Sequence, residues 1–158
     1  MPKGFDNLLT ILFASVVLVG LVLHLPTEAG PVDHAPARAV AIVHKAQHLI
    51  EDNELVSALR KFDGESDFNS GGIYLFVLDA DGQNIYHATD HTLVGSDFTK
   101  LVDLDRRPFG QNLITDTAKS GVWHSYRTRI GWRLTYARKI RGGQIIAAGL
   151  TAPNQPTH

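Results

Sequence analysis

A helical pattern of apolar residues fills the segment from residue 37 to residue 62, where apolar side chains recur at spacings of three and four. Residues spaced in this way fall on one face of an α-helix, so the pattern predicts a long amphipathic helix whose apolar stripe packs against the rest of the fold. The polar run at residues 51–54 interrupts the stripe and leaves open a bend or break at that point.

A strand pattern begins at Gly72 and changes the prediction from helix to sheet. Asp81-Gly82 is a strong hairpin signal, because glycine adopts a positive φ without a Cβ clash. A polar loop at residues 89–105 follows, with a short helical turn near 98–102, and a helix is predicted over 108–119. The predicted strands cover residues 72–80, 83–87, 122–129, 132–140 and 144–150. These elements predict an α+β fold with a five-stranded antiparallel sheet, a long N-terminal helix, and helices on one face.

The N-terminus has the layout of a secretory signal. Lys3 supplies a positive charge, residues 8–23 are apolar or small, and Pro26 and Ala29 follow. The apolar run also approaches the length that spans a bilayer, so an uncleaved anchor is the alternative. In either case we expect the rest of the chain to be periplasmic or extracytoplasmic. We divide the chain into a signal peptide or membrane anchor (1–29), a linker (30–36), one domain (37–150) and a flexible tail (151–158).

Composition and missing motifs exclude several classes of function. Fifteen Lys and Arg residues balance sixteen Asp and Glu residues, so the basic excess of a nucleic-acid-binding protein is lacking. The chain has no cysteine, which excludes disulfides, thiolate metal sites and a cysteine nucleophile. The sequence also contains no nucleophile elbow, phosphate loop or dinucleotide fingerprint. We therefore expect a protein that is not an enzyme and does not bind nucleic acid.

Two histidines, His44 and His48, lie one helical turn apart and have the spacing of a chelating pair. The residues between them lack the glutamate of a zinc-protease helix, and no third ligand follows at a recognisable spacing. We predict that they form no metal site and that the domain uses no cofactor. A protein that binds a metal or haem through its histidines is a further functional hypothesis.

A series of short motifs runs along the predicted sheet and the loops between its strands. The motif residues are Tyr74, Phe76, Val77, Asp79, Gly82, His87, Leu93-Val94-Gly95, Asp103, Asp105, Pro108-Phe109, Trp123-His124-Ser125-Tyr126 and Arg133-Leu134-Thr135-Tyr136. In this order and spacing, the sequence resembles a single Cache domain of the second type over about residues 73–150. Cache domains are extracytoplasmic small-ligand sensor modules of bacteria, and the resemblance implies a PAS-like fold.

The resemblance implies a pocket between one sheet face and its covering loops, where a small ligand, often a carboxylate, meets hydrogen-bond donors on an apolar floor. Arg133 and Tyr136 match the family's Lys-x-x-Tyr motif, and Tyr126 matches its strand aromatic. Strict alternation puts Arg133 and Tyr136 on opposite faces, so only a bulge or a ligand at the strand end brings both into one pocket. The candidate ligand-binding residues are Tyr74, Phe76, His87, Trp123, Tyr126, Arg133 and Tyr136, with Arg106 and Arg107 as loop contacts.

By this resemblance, the function is that of an exported sensor domain for a small organic acid or amino acid, without an output domain of its own. The expected partners are the small-molecule ligand, a membrane receptor or kinase, and a second copy of the chain through the long helix. The alternative is a periplasmic interaction module that senses nothing. In that case the aromatic side chains of Trp123, Tyr126 and Tyr136 fill the pocket as core.

Overall fold

The computed structural model describes residues 34–151, so the predicted signal or anchor segment and nearly all of the predicted tail lie outside the described residues. The predicted long helix is two helices, α1 (Ala35–Glu51) and α2 (Leu55–Gly64), which separate at the polar run. Asn53 stabilises the break, because its side-chain amide donates to the Leu49 carbonyl at 2.8 Å, one of the carbonyls that a helix end leaves unpaired. Within the described residues, no helix is long and apolar enough to cross a membrane.

The sheet contains all five predicted strands and one short additional strand. Its strands are β1 (Asn69–Ser70), β2 (Ile73–Leu78), β3 (Asn84–His87), β4 (Val122–Thr128), β5 (Gly131–Lys139) and β6 (Ile145–Thr151). The strand order is β1-β2-β6-β5-β4, with β3 also paired to β2, and every pairing is antiparallel. A third helix, α3 (Phe109–Asp116), lies within the predicted helical segment. The α+β fold with an antiparallel sheet is therefore confirmed.

The hairpin between β2 and β3 depends on Asp79 and Gly82. The Asp79 carboxylate accepts hydrogen bonds from the backbone N–H groups of Asp81 at 3.0 Å and Gln83 at 2.8 Å. Gly82 has a φ of +86°, a conformation that side chains with a Cβ rarely adopt. The turn thus forms as the Asp-Gly signal predicts, and it places His87 beside Phe76 in the sheet.

The helices lie on both faces of the sheet, which corrects the prediction that they lie on one face. Alternate residues of β2 separate two apolar cores, because Leu75 and Val77 pack with α1 and α2 whereas Phe76 and Leu78 pack with α3. We call the core that packs with α1 and α2 the helix-side core. It contains the predicted α1 stripe, of which Ala39, Ile42, Val43 and Ala46 are buried. The second core is smaller, and it borders the cavity described below.

Candidate functional site

A cavity of about 410 Å³ lies on the α3 side of the sheet. Its floor comes from β2, β3 and β4, and its cover comes from the loop at residues 101–107, which we call the covering loop. The backbone N–H of Leu104 donates to the Arg127 carbonyl at 2.9 Å and fastens this loop to β4. The volume falls in the range of small-molecule sites.

The floor is built from stacked aromatic rings. The Tyr74 ring centroid lies 5.2 Å from that of His87 and 6.3 Å from that of Phe76. Tyr74 lies over Gly149 of β6, where an added Cβ would stand 2.5 Å from the tyrosine Cζ. Because glycine leaves this space open, the Tyr74 ring can extend across β6 toward Tyr126.

Tyr126 joins the floor to α3. Its ring stacks on Phe109 with a centroid distance of 3.6 Å. Burial, reinforced by the proximity of Tyr74, raises the pKa of Tyr126 far above its usual value. The Tyr126 hydroxyl is therefore neutral and carries a proton that it can donate in a hydrogen bond.

His87 presents a neutral ring with a defined tautomer. Its Nδ1 accepts a hydrogen bond from the backbone N–H of Asp90 at 3.1 Å. A backbone N–H only donates, so Nδ1 carries no proton and the ring proton resides on Nε2. Burial lowers the pKa of His87, and the nearby Asp90 carboxylate offsets only part of this effect. His87 thus supplies an N–H donor without a positive charge.

Asp103 also lines the cavity, but its carboxylate is fully engaged within the covering loop. One oxygen lies 2.7 Å from Arg107 Nε, and the other accepts from the backbone N–H groups of Asp105 and Arg107, each at 2.9 Å. Burial alone would raise the pKa of Asp103, but the hydrogen bonds and charge of Arg107 outweigh it and lower this pKa. Asp103 is therefore ionised and has its counter-ion in place.

The structure brings together four of the seven predicted strand residues, since Tyr74, Phe76, His87 and Tyr126 all line the cavity. Arg133 pairs with Tyr126 across the β4–β5 ladder and acts on the Tyr126 pKa, but it is not among the lining residues.

Trp123 and Tyr136 lie elsewhere, which corrects their assignment to the pocket. The β5 register with both neighbours is unbroken, so no bulge turns Tyr136 to the face of Arg133. Tyr136 instead packs in the helix-side core, 5.2 Å from the Trp123 ring, and its hydroxyl donates to the Ser120 carbonyl at 3.2 Å. Tyr136 therefore supports the helix-side core, whereas Trp123 is 38% exposed and lies beside it, outside the cavity lining.

The two loop arginines also lie outside the cavity lining. Arg106 is exposed and has a φ of +62°, an uncommon conformation for a residue with a side chain. Arg107 holds Asp103 and lies 5.6 Å over the Trp132 ring. Arg107 therefore fixes the covering loop through Asp103.

The sequence analysis did not identify most of the residues that cover the cavity or lie at its rim. The covering side chains are Leu93, Phe98, Leu101, Val102, Leu104 and Phe109, and Arg127 and Arg129 of the β4 end lie at the rim. The loop reads as polar overall, yet it carries more large apolar residues than a solvated loop needs. That excess was the available signal for a loop that packs over an apolar cavity.

The histidine pair of α1 is divided between two environments. An Arg138 guanidinium nitrogen lies 3.0 Å from His44 Nε2, whereas His48 is exposed and 3.9 Å from Glu51. No group of three metal-binding side chains occurs within residues 34–151. The absence of a metal site in the whole protein stays a prediction.

Three solved structures with a similar fold come from chemotaxis or chemosensory proteins. A methyl-accepting chemotaxis protein from Vibrio parahaemolyticus is 19% identical, with a TM-score of 0.56 over 73% of this chain and 84% of that one. A periplasmic sensor domain of a chemotaxis protein is 16% identical, with a TM-score of 0.59 over 78% and 99%. A Cache chemosensory domain described for carboxylic acid recognition is 18% identical, with a TM-score of 0.58 over 73% and 92%. At these identities the likeness shows the fold.

The sequence itself matches a family description. The profile of single Cache domain 2 matches residues 39–131, which include α1, the hairpin, the covering loop and β4. No curated protein matches the chain significantly. Cache domains are extracytoplasmic sensor modules rather than enzymes, and the aromatic cavity beneath a fastened loop agrees with that architecture. The chain belongs to the single Cache domain 2 family.

Proposed function

We propose that the cavity binds a small organic carboxylate and that the domain reports its concentration. The observation that carries this proposal is the pair of neutral donors on the cavity floor, the Tyr126 hydroxyl and the His87 ring. A carboxylate that leaves water needs hydrogen-bond donors, and a hydrogen bond to a charged group contributes about 1.5–3 kcal/mol. The aromatic rings beside these donors suit the apolar part of such a ligand.

The charges around the cavity favour an organic acid over an amino acid. An α-ammonium group needs a carboxylate partner when it is buried. Asp103 is the one acidic residue among the described residues that line the cavity, and Arg107 already neutralises it. An amino acid would therefore bury its ammonium group without a counter-ion, whereas a simple carboxylate would not.

The rim supplies positive charge for the approach of an anion. Arg127 and Arg129 border the cavity mouth, and both are exposed. Exposed arginines attract an anion over several ångströms and raise its rate of encounter more than its final affinity. We assign Arg133 an indirect role, since it acts on Tyr126 from the neighbouring strand.

The solved Cache chemosensory domain described for carboxylic acid recognition supports the choice of ligand class, as a relative in fold. A sensor needs a receiver, and we propose a membrane receptor or kinase for that role, with a homodimer through α1 as the accompanying assembly. The runner-up function, an interaction module with a filled pocket, is less compatible with a cavity of about 410 Å³.

A thermal-unfolding screen with matched compounds tests the proposal. Propionate and 3-phenylpropionate are compared with their amides, which lack the charge, and with alanine and phenylalanine, which add an ammonium group. An acid at about 100 times its dissociation constant should stabilise the protein by about 2.7 kcal/mol. We expect stabilisation by at least one acid and none by its amide or amino-acid counterpart. Equal shifts with the amides, or none with any acid, would refute the proposal.

A further inference from the structure

The described part of the chain begins and ends at the same end of the sheet. Near the start of α1, the Arg38 guanidinium donates to the Ser70 hydroxyl at 3.1 Å. Ser70 pairs with Ile73, and Ile73 pairs with Leu150 near the end of β6. The turn between β4 and β5 lies at this end too, because Arg133 pairs with Thr151.

This end of the sheet displays apolar side chains among arginines. Ile130 in the β4–β5 turn is 74% exposed, and Val102 and Leu104 of the covering loop are also exposed. The backbone N–H of Leu104 donates a hydrogen bond to the Arg127 carbonyl. Val102 and Arg129 both line the cavity. We call Val102, Leu104, Arg127, Arg129 and Ile130 the basic-apolar tip.

The charge of the tip is only partly balanced. Arg127 lies 3.4 Å from Asp105, which also lies 3.8 Å from Arg107. No carboxylate within residues 34–151 pairs with Arg129. Single exposed apolar residues are ordinary in soluble proteins, but several together beside cationic side chains mark an interaction surface.

We propose that the basic-apolar tip rests on an anionic lipid surface, with Ile130 and Leu104 in the headgroup region. Arginines beside apolar side chains are the composition that binds such interfaces. In the sequence, the apolar run at residues 8–23 precedes α1 by residues 24–34, and eleven residues extend at most about 40 Å. The tip lies at the end of the sheet where α1 begins. Val102, Leu104, Arg127 and Arg129 of the tip also line the cavity, so docking places the cavity rim at the lipid surface, whatever the identity of the cavity ligand.

Single-cysteine labelling of the full chain tests the proposal, because the natural sequence has no cysteine. Ile130→Cys carries a polarity-sensitive fluorophore, and Val56→Cys is the matched control, since Val56 is 60% exposed at the start of α2. Each labelled protein is mixed with vesicles of phosphatidylcholine alone or with phosphatidylglycerol added. A lipid-borne quencher in the same vesicles reports contact with the bilayer.

With phosphatidylglycerol vesicles, we expect a blue shift and lipid quenching of the label at position 130, and neither effect at position 56. Arg129→Gln should lower the ratio of docked to undocked tip about fivefold, and high salt should weaken docking in the same direction. Equal quenching at both positions, or none at position 130, would overturn the proposal. Quenching at position 130 that is equal with and without phosphatidylglycerol would overturn the anionic part of it.

Discussion

At the scale of single residues, the site depends on donors whose protonation is set by burial. His87 and Tyr126 are both kept neutral at ordinary pH, since burial lowers the pKa of the first and raises that of the second. The cavity therefore presents these donors without a buried positive charge. This arrangement makes the free energy of unfolding sensitive to acid.

We expect His87 to destabilise the folded domain as the pH falls below about 6.5. The unfolded state, with the ordinary histidine pKa, binds the proton more readily than the folded state, so the free energy of unfolding decreases toward the lower folded-state pKa. His87→Asn should remove this component and make the pH profile of unfolding shallower. His48→Asn is the control, because His48 is exposed. Equal slopes in the wild type and the His87 variant would show that His87 is not the sensitive group.

Gly149→Ala should disturb the cavity floor. The new methyl group would stand 2.5 Å from Tyr74 Cζ, so the ring has to move, at a cost of about 1–3 kcal/mol in unfolding free energy. Carboxylate binding should weaken with it. Gly64→Ala is the control, because no atom lies within 4 Å of that added Cβ, and its effect should stay within about 0.5 kcal/mol. Denaturant unfolding of both variants checks the prediction, and a neutral Gly149→Ala would contradict the placement of Tyr74.

At the scale of elements, the separation of α1 from α2 positions Phe62. The Phe62 ring packs 4.7 Å from Phe68 and 5.3 Å from Tyr86, measured between ring centroids, and is 1% exposed. One continuous helix would direct its second half away from this contact. The break at residues 51–54 therefore allows both helices to cover the same face of the sheet.

Phe62→Ala should cost about 3–5 kcal/mol of unfolding free energy, because it empties a buried aromatic position in the helix-side core. Val56→Ala in the same helix should change stability by no more than about 0.5 kcal/mol, since Val56 is exposed. Urea unfolding gives both values. A small effect at Phe62 would mean that α2 contributes little to the core.

The sequence predicted the elements better than the site. Alternation and the Asp-Gly turn identified the five longer strands, but a two-residue strand such as β1 leaves no periodic pattern. Tyr126 and Tyr136 are ten residues apart on paired strands, and only the unbroken β5 register assigns them to different faces. The contributions of Leu101 and Leu104 depend on how Asp103 and Arg107 fold the covering loop, which no spacing in the sequence encodes.

At the scale of the whole molecule, the sheet lies between the cavity and the helix-side core. Phe76 faces the cavity, and its neighbours Leu75 and Val77 face α1 and α2. A ligand that displaces Phe76 therefore acts on a strand that also supports the helices. This connection provides a physical route from the cavity to α1, where we propose that a second copy or a membrane partner receives the signal.

The central claim is that the cavity floor binds a carboxylate, and calorimetric titration of a tyrosine pair tests it most directly. The acid that gives the largest thermal shift is titrated into the wild type, Tyr126→Phe and Tyr136→Phe. Each variant loses one buried hydroxyl, in the cavity and in the helix-side core, respectively. We predict that Tyr126→Phe weakens binding about tenfold, the loss of one hydrogen bond to a charged group, while Tyr136→Phe binds like the wild type. Unchanged affinity in Tyr126→Phe would contradict the account, and so would an equal loss of affinity in Tyr136→Phe.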